Sequence, residues 1–204
     1  MFTNLITGRI RVLAALTPPT VQAHCDTAEG PAVKDGRAAL ATGNINRALK
    51  WIPVEGEVEL RDVFEKALTV RGLGAEAAEL ADRLFLETLV RIHRMGEGVG
   101  FTGIQPVGAQ VDPVVVAADE AIAQGSDAAL VSMVPEPRRT ELDKRFRAAL
   151  AVKDFDVDDV AAGRRYLAAY VNLFKYAEGE VRGDEQKGHE HLGHGHGHEL
   201  SRAH

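Results

Sequence analysis

The sequence predicts an all-α protein built from two tandem helical repeats packed as one helical domain. Three observations predict it. Apolar residues recur at steps of three and four, the spacing that lines up side chains on one face of a helix. Sustained apolar–polar alternation, which a half-buried strand would show, is missing. The chain also matches itself at an offset of 82 residues.

In that self-match, "GPAVKDGRAALATG" (30–43) aligns with "DPVVVAADEAIAQG" (112–125), and "WIPVEGEVELRDVFEKALTVR" (51–71) with "MVPEPRRTELDKRFRAALAVK" (133–153). No gap is needed. Pro31 meets Pro113, Gly43 meets Gly125, Pro53 meets Pro135, Leu60 meets Leu142, Phe64 meets Phe146 and Arg83 meets Arg165. The coincidences fall on prolines, glycines and apolar positions, where structure is most demanding, so we read a tandem duplication. It sets repeat 1 at 24–98, a Gly/Pro linker at 99–111 and repeat 2 at 112–180.

Residues 1–23 form a leader or flexible extension. Arg9 and Arg11 precede the short apolar run "VLAAL", and "TPPTVQA" ends in a small-x-small pattern suited to a signal cleavage site. Cleavage after Ala23 would make His24 the N-terminus of a periplasmic or secreted protein. Without it, a cytoplasmic protein is expected.

Pro31 suits the first position of a helix, and Gly43 its end. Pro53 punctuates the next connection. Leu60, Val63, Phe64, Ala67 and Leu68 form one apolar stripe, and Leu142, Phe146, Ala149 and Leu150 repeat its phase. Over 75–95 the stripe reads Ala77, Leu80, Ala81, Leu84, Thr88, Ile92 and Met95. "VDPVVVAADEA" is the one stretch that could read as a strand, but its repeat partner has a helical pattern. "DVDDVAAGRRYLAAYVNLFKY" (156–176) opens on acidic residues, which favour a helix N-terminus, and then turns apolar. From Gly179 onward apolar content collapses, which predicts a disordered tail over 181–204.

Composition narrows function. With 204 residues, 45% hydrophobic and 26% charged, the chain is long enough to bury a core. A net charge of −6, with no basic stripe, argues against nucleic acid as a partner. No apolar run approaches the roughly 20 residues of a membrane span. A single cysteine excludes an internal disulfide.

Metal-ligating residues are concentrated in two places. The tail carries His189, His191, His194, His196, His198 and His204, separated mainly by glycine, so imidazoles can converge on one ion. Imidazole suits nickel, copper and zinc. The irregular spacing, with Glu190, Leu192 and Glu199 interleaved, is unlike a purification tag. The second place is His24-Cys25-Asp26, an imidazole, a thiol and a carboxylate in succession. Without cleavage, Asp26 or Thr27 could instead cap the helix that begins at Gly30-Pro31. A catalytic thiol would need His24 or His93 as its base.

His93 lies on the face of Val90, Leu89 and Leu86, at the edge of the buried stripe, with Glu97 one turn on. Its counterpart in repeat 2 is Lys175, and residues 24–26 map onto Pro106-Val107-Gly108. The scaffold thus needs neither group, which favours a functional role for both. Arg83, Glu87 and Arg91 suggest a surface ion-pair ladder. "GVGFTG" (98–103) fits a dinucleotide pattern literally, yet it follows a helix and enters a linker, so it is rejected. Walker, G-x-S-x-G, H-E-x-x-H and C-x-x-C patterns are all missing.

"HCDTAEGPAV", "ALATGNINRALKWIP", "LFLETLVRIHRMGEG", "FTGIQPVG" and the His-rich end together resemble a family of uncharacterised prokaryotic helical proteins, a domain of unknown function with an N-terminal HCDT motif. The resemblance spans about 24–180. It implies a helical fold and brings no activity or catalytic residues. Some members of that family begin just before the motif and others carry a leader. A narrower similarity links His24, Cys25 and Asp26 to the start of the nickel superoxide dismutase hook, H-C-D-x-P-C-G-x-Y. Glu29 stands where the hook has its second cysteine, and no tyrosine follows.

The expected function is therefore transition-metal binding, for nickel, copper or zinc capture. Its structured site would combine His24, Cys25 and His93 with Asp26 or Glu97, and the tail would supply capacity. Two alternatives stand beside it: a metalloenzyme of superoxide-dismutase-like redox type at the same residues, and a helical protein-interaction module.

Overall fold

The structure, a computed structural model, describes residues 24–179. Among the described residues it is predominantly helical. Eight α-helices follow a short 3-10 turn at His24–Asp26: α1 (Pro31–Thr42), α2 (Asn46–Leu49), α3 (Glu57–Arg71), α4 (Ala75–Gly96), α5 (Pro113–Gln124), α6 (Ala128–Met133), α7 (Arg139–Ala151) and α8 (Val160–Glu178). Among the described residues there is no strand, only an isolated bridge between Thr27 and Gln105. "VDPVVVAADEA" lies in α5, where Asp112 caps the helix by accepting from the Val114 N–H at 2.8 Å.

The expected punctuation holds. α1 and α5 begin at Pro31 and Pro113, and each ends on a glycine in the left-handed region, Gly43 at φ 68° and Gly125 at φ 70°. Element starts recur at the 82-residue offset: Pro31 and Pro113, Asn46 and Ala128, Glu57 and Arg139. Further 3-10 turns at Val54–Gly56 and Glu136–Arg138 stand in the same relation. α8 starts later than the acidic run implies, because Asp159 is its cap, accepting from the Ala162 N–H at 2.8 Å.

Two apolar clusters form the core. The first gathers Val33, Leu49, Leu60, Phe85 and Leu89, and the second Leu130, Val134, Leu142 and Leu173. Burying each such side chain contributes about 1.5–3 kcal/mol. α8 ties the clusters together: Leu167 belongs to the first, and Tyr166 packs against both. α1 crosses α4 closely at Gly36, where an added Cβ would stand 2.7 Å from Leu86 Cδ2 and 2.8 Å from Leu89 Cδ2.

The α4 stripe is rotated from the expected one. Its buried face runs through Ala81, Phe85, Thr88, Leu89, Ile92 and His93, while Leu80, Leu84 and Met95 are exposed. α4 packs on α3 and α1 together, and the face those two helices share centres on Phe85 and Leu89. Arg83 pairs with Glu87 at 2.8 Å as expected, but Arg91 reaches across to Glu59 on α3 and leaves the ladder incomplete.

Candidate functional site

The His24–Asp26 turn is folded inward, and both Cys25 and Asp26 are buried. Two features hold it there. Gly30 lies so close that a Cβ would sit 2.3 Å from the His24 carbonyl oxygen, so only glycine fits without moving the turn. The loop after α4 supplies a backbone partner: Gln105 N–H donates to the Asp26 carbonyl at 2.9 Å, and Ala28 N–H donates to the Gln105 carbonyl at 2.9 Å. The stretches "HCDT" and "FTGIQPVG" are thus neighbours in space, and Phe101 and Ile104 of that loop pack on the first core cluster.

Asp26 does not cap α1. The N-cap is Gly30, without a side-chain hydrogen bond, and Thr27 Oγ1 donates instead to the His24 carbonyl at 3.2 Å. Asp26 faces Arg94 on α4, with Oδ2 3.0 Å from Nε, and Arg94 Nη1 donates to Glu97 Oε2 at 3.0 Å. Arg94 therefore lies as a single cation between two carboxylates. Burial pushes the Asp26 carboxyl up to about 6, with Arg94 and His93 opposing and Glu97 adding to the shift.

His93 is buried against Trp51, the rings edge to face at 5.9 Å. Its Nδ1 stands 2.7 Å from the Trp51 carbonyl oxygen, which can only accept, so the proton is assigned to Nδ1. In the neutral ring Nε2 then carries the lone pair. That nitrogen is buried without a hydrogen-bond partner and faces Glu97 Oε1 at 3.8 Å.

The Cys25 thiol is free and lies among these groups. Burial, reinforced by Glu97, Asp26 and Asp119 and opposed by Arg94, holds its pKa far above the usual thiol range. A protonated, buried thiol is a poor nucleophile. His24 points elsewhere. Its Nε2 meets Asp119 Oδ2 of α5 at 2.7 Å, and the Tyr170 hydroxyl of α8 donates to the other oxygen of Asp119. His24 Nδ1 is buried without a partner. Beside this trio a cleft of ≈ 320 Å³ opens between the halves, bordered by Lys34, Lys50, Trp51, Tyr166 and Tyr170.

Of the expected ligands, Asp26 and Glu97 flank Arg94, His93 faces Glu97, Cys25 is buried next to Asp26 in the chain, and His24 is turned toward the second half. Among the described residues, no group of three or more His, Cys, Asp or Glu side chains stands ready to hold a metal ion. His189, His191, His194, His196, His198 and His204 lie outside the described residues, as does the junction at Ala23. Sequence reasoning missed Arg94, Asp119 and Tyr170. Arg94 had a signal, standing beside His93 and one turn before Glu97; Asp119 and Tyr170 had none. Among the described residues, no helix is long and apolar enough to cross a membrane.

No curated protein and no solved structure matches the chain. A family of unknown function, DUF6448, matches residues 29–176, so the match begins after the HCDT motif and the similarity to the dismutase hook gains no support from it. Since the match covers most of the helical core, the chain belongs to that family.

Proposed function

We propose that this protein binds a transition-metal ion of the nickel, copper or zinc type, with the His-rich tail gathering the ion and the Cys25–His93 neighbourhood holding it. The observation that carries the reading is the His93 ring. Its Nδ1 is anchored on the Trp51 carbonyl, and its Nε2 lone pair is buried, unpartnered and turned toward Glu97. A metal-bound histidine is commonly held in just this way, with the distal nitrogen hydrogen-bonded to a backbone carbonyl. Cys25 and Asp26 add a sulfur and an oxygen donor nearby, and Asp26 Oδ1 is likewise buried without a partner.

The arrangement is a closed one. Arg94 neutralises Asp26 and Glu97, and the Cys25 thiol keeps its proton. Metal entry on this reading displaces the guanidinium and expels the thiol proton, so binding tightens as pH rises. The experiment is metal retention after dialysis, comparing the full chain with chains lacking residues 188–204. The shortened chain should keep about one equivalent, and Cys25→Ser or His93→Ala should lose it. A shortened chain that keeps no metal, or keeps it unchanged in both variants, would contradict the structured site.

A further inference from the structure

The two halves of the molecule meet through different faces. The second half offers the start of α8 and the turn before it. Phe155 packs on Tyr166 with ring centres 5.7 Å apart, and Asp158 accepts from Asn44 and Asn46 at 2.8 and 3.0 Å. Arg164 donates to the Ile52 and Leu49 carbonyls at 3.2 and 3.1 Å and to Glu57 at 2.7 Å. The first half answers with α2, the turn after it and the start of α3. Such an interface is heterologous, so each unit also carries a counterpart of the face that the other unit uses.

At the 82-residue offset those counterparts can be named. Phe155 and Tyr166 correspond to Leu73 and Leu84, which are 78% and 57% exposed, and Leu80, one turn before Leu84, is 68% exposed. On the other side Trp51 corresponds to Met133, which is 43% exposed. Single exposed apolar residues are ordinary. Leu73, Leu84 and Met133 stand at register positions that the internal interface uses, whereas the counterparts of Gly163 and Leu167, Ala81 and Phe85, are buried in the first cluster.

The polar pairs correspond as well. The Arg164–Glu57 pair maps onto Asp82 and Arg139, with the sign reversed on both sides and complementarity retained. Asp158 and Asn44 map onto Glu76 and Ser126, again an acceptor and a donor. Within one molecule these groups stay in their own half: Asp82 pairs with Arg71 at 2.5 Å, and Arg139 Nε donates to the Val134 carbonyl at 3.1 Å. That carbonyl corresponds to the one on Ile52 that Arg164 reaches.

We infer that a second copy of this chain docks head to tail, the turn before its α4 (Leu73) and the start of that helix (Leu80, Asp82, Leu84) packing on the corner between α6 and α7 (Met133, Arg139). The contact continues the internal one from molecule to molecule. The two surfaces differ, so each copy has both, and assembly proceeds beyond a dimer unless a ring closes.

Sedimentation velocity on the full chain across a concentration series tests this, with a chelator present so that tail histidines cannot bridge copies through metal. The wild type should gain mass with concentration. Leu84→Glu and Met133→Glu should each remain monomeric. An equimolar mixture of the two should form a dimer and stop there, because one variant keeps a sound Met133 face and the other a sound Leu84 face. Both positions are exposed, so the fold is expected to survive, which the helical circular dichroism spectrum checks. If either Glu variant unfolds, Leu84→Ser and Met133→Ser are read the same way. A wild type that stays monomeric throughout, a mixture that does not recover, or variants that associate like the wild type would each overturn the inference.

Discussion

Asp26 shows how a single buried carboxylate records its surroundings. Burial moves its pKa from 3.8 to about 6, despite Arg94 at 3.0 Å. The folded protein thus binds this proton more tightly than the unfolded chain does. By linkage, the stability from Asp26 is fully present below 3.8 and is lost as pH rises through about 6. Urea unfolding of metal-free protein should show wild type losing on the order of 2 kcal/mol relative to Asp26→Asn across that window. A difference that stays flat with pH would remove Asp26 from this account. The three-residue string His24-Cys25-Asp26 revealed its chemistry but not its pairing. His24 turns to Asp119 and Asp26 to Arg94, partners at distant positions that no local spacing indicates.

At the scale of elements, helices begin and end where proline, glycine and aspartate dictate, because those signals act through the local backbone. Faces were less legible. Leu80, Leu84 and Met95 fit a helical stripe as well as Phe85 and Leu89 do, and only the positions of α1 and α3 decide which leucines are covered. Arg91 likewise had a partner available on its own helix and took Glu59 on another. The crossing of α1 and α4 depends on Gly36, with leucine methyls already at close range of any Cβ. Gly36→Val should cost about 2–3 kcal/mol through overpacking, read as a lower urea midpoint. An unchanged midpoint would mean that the helices separate freely there.

At the scale of the whole molecule, among the described residues, the starts of α1, α2 and α3 recur 82 residues later in α5, α6 and α7, α8 starts 85 residues after α4, and the chemistry-bearing residues do not recur. His93 stands where the second half has Lys175, and the buried turn at 24–26 corresponds to exposed or half-buried loop residues at 106–108. The second half buries a different polar group, Arg145 beside Glu141 and Asn172, so the buried Cys25, Asp26 and His93 belong to the first half alone. The loop carrying Gln105 closes over those groups by pairing with residues 26 and 28. Repetition made the fold readable from the sequence. The absence of repetition marked the candidate residues, but their geometry required the packing of α4, α5 and α8 around them.

The central claim is that the pocket around His93 takes a metal ion, and X-ray absorption at the metal edge addresses it most directly. The sample is the chain lacking residues 188–204, loaded with one equivalent of zinc. The account predicts a first shell containing one sulfur and one imidazole, with Cys25→Ser removing the sulfur and His93→Ala the imidazole. A shell of oxygen alone, or a spectrum indifferent to both substitutions, would contradict it.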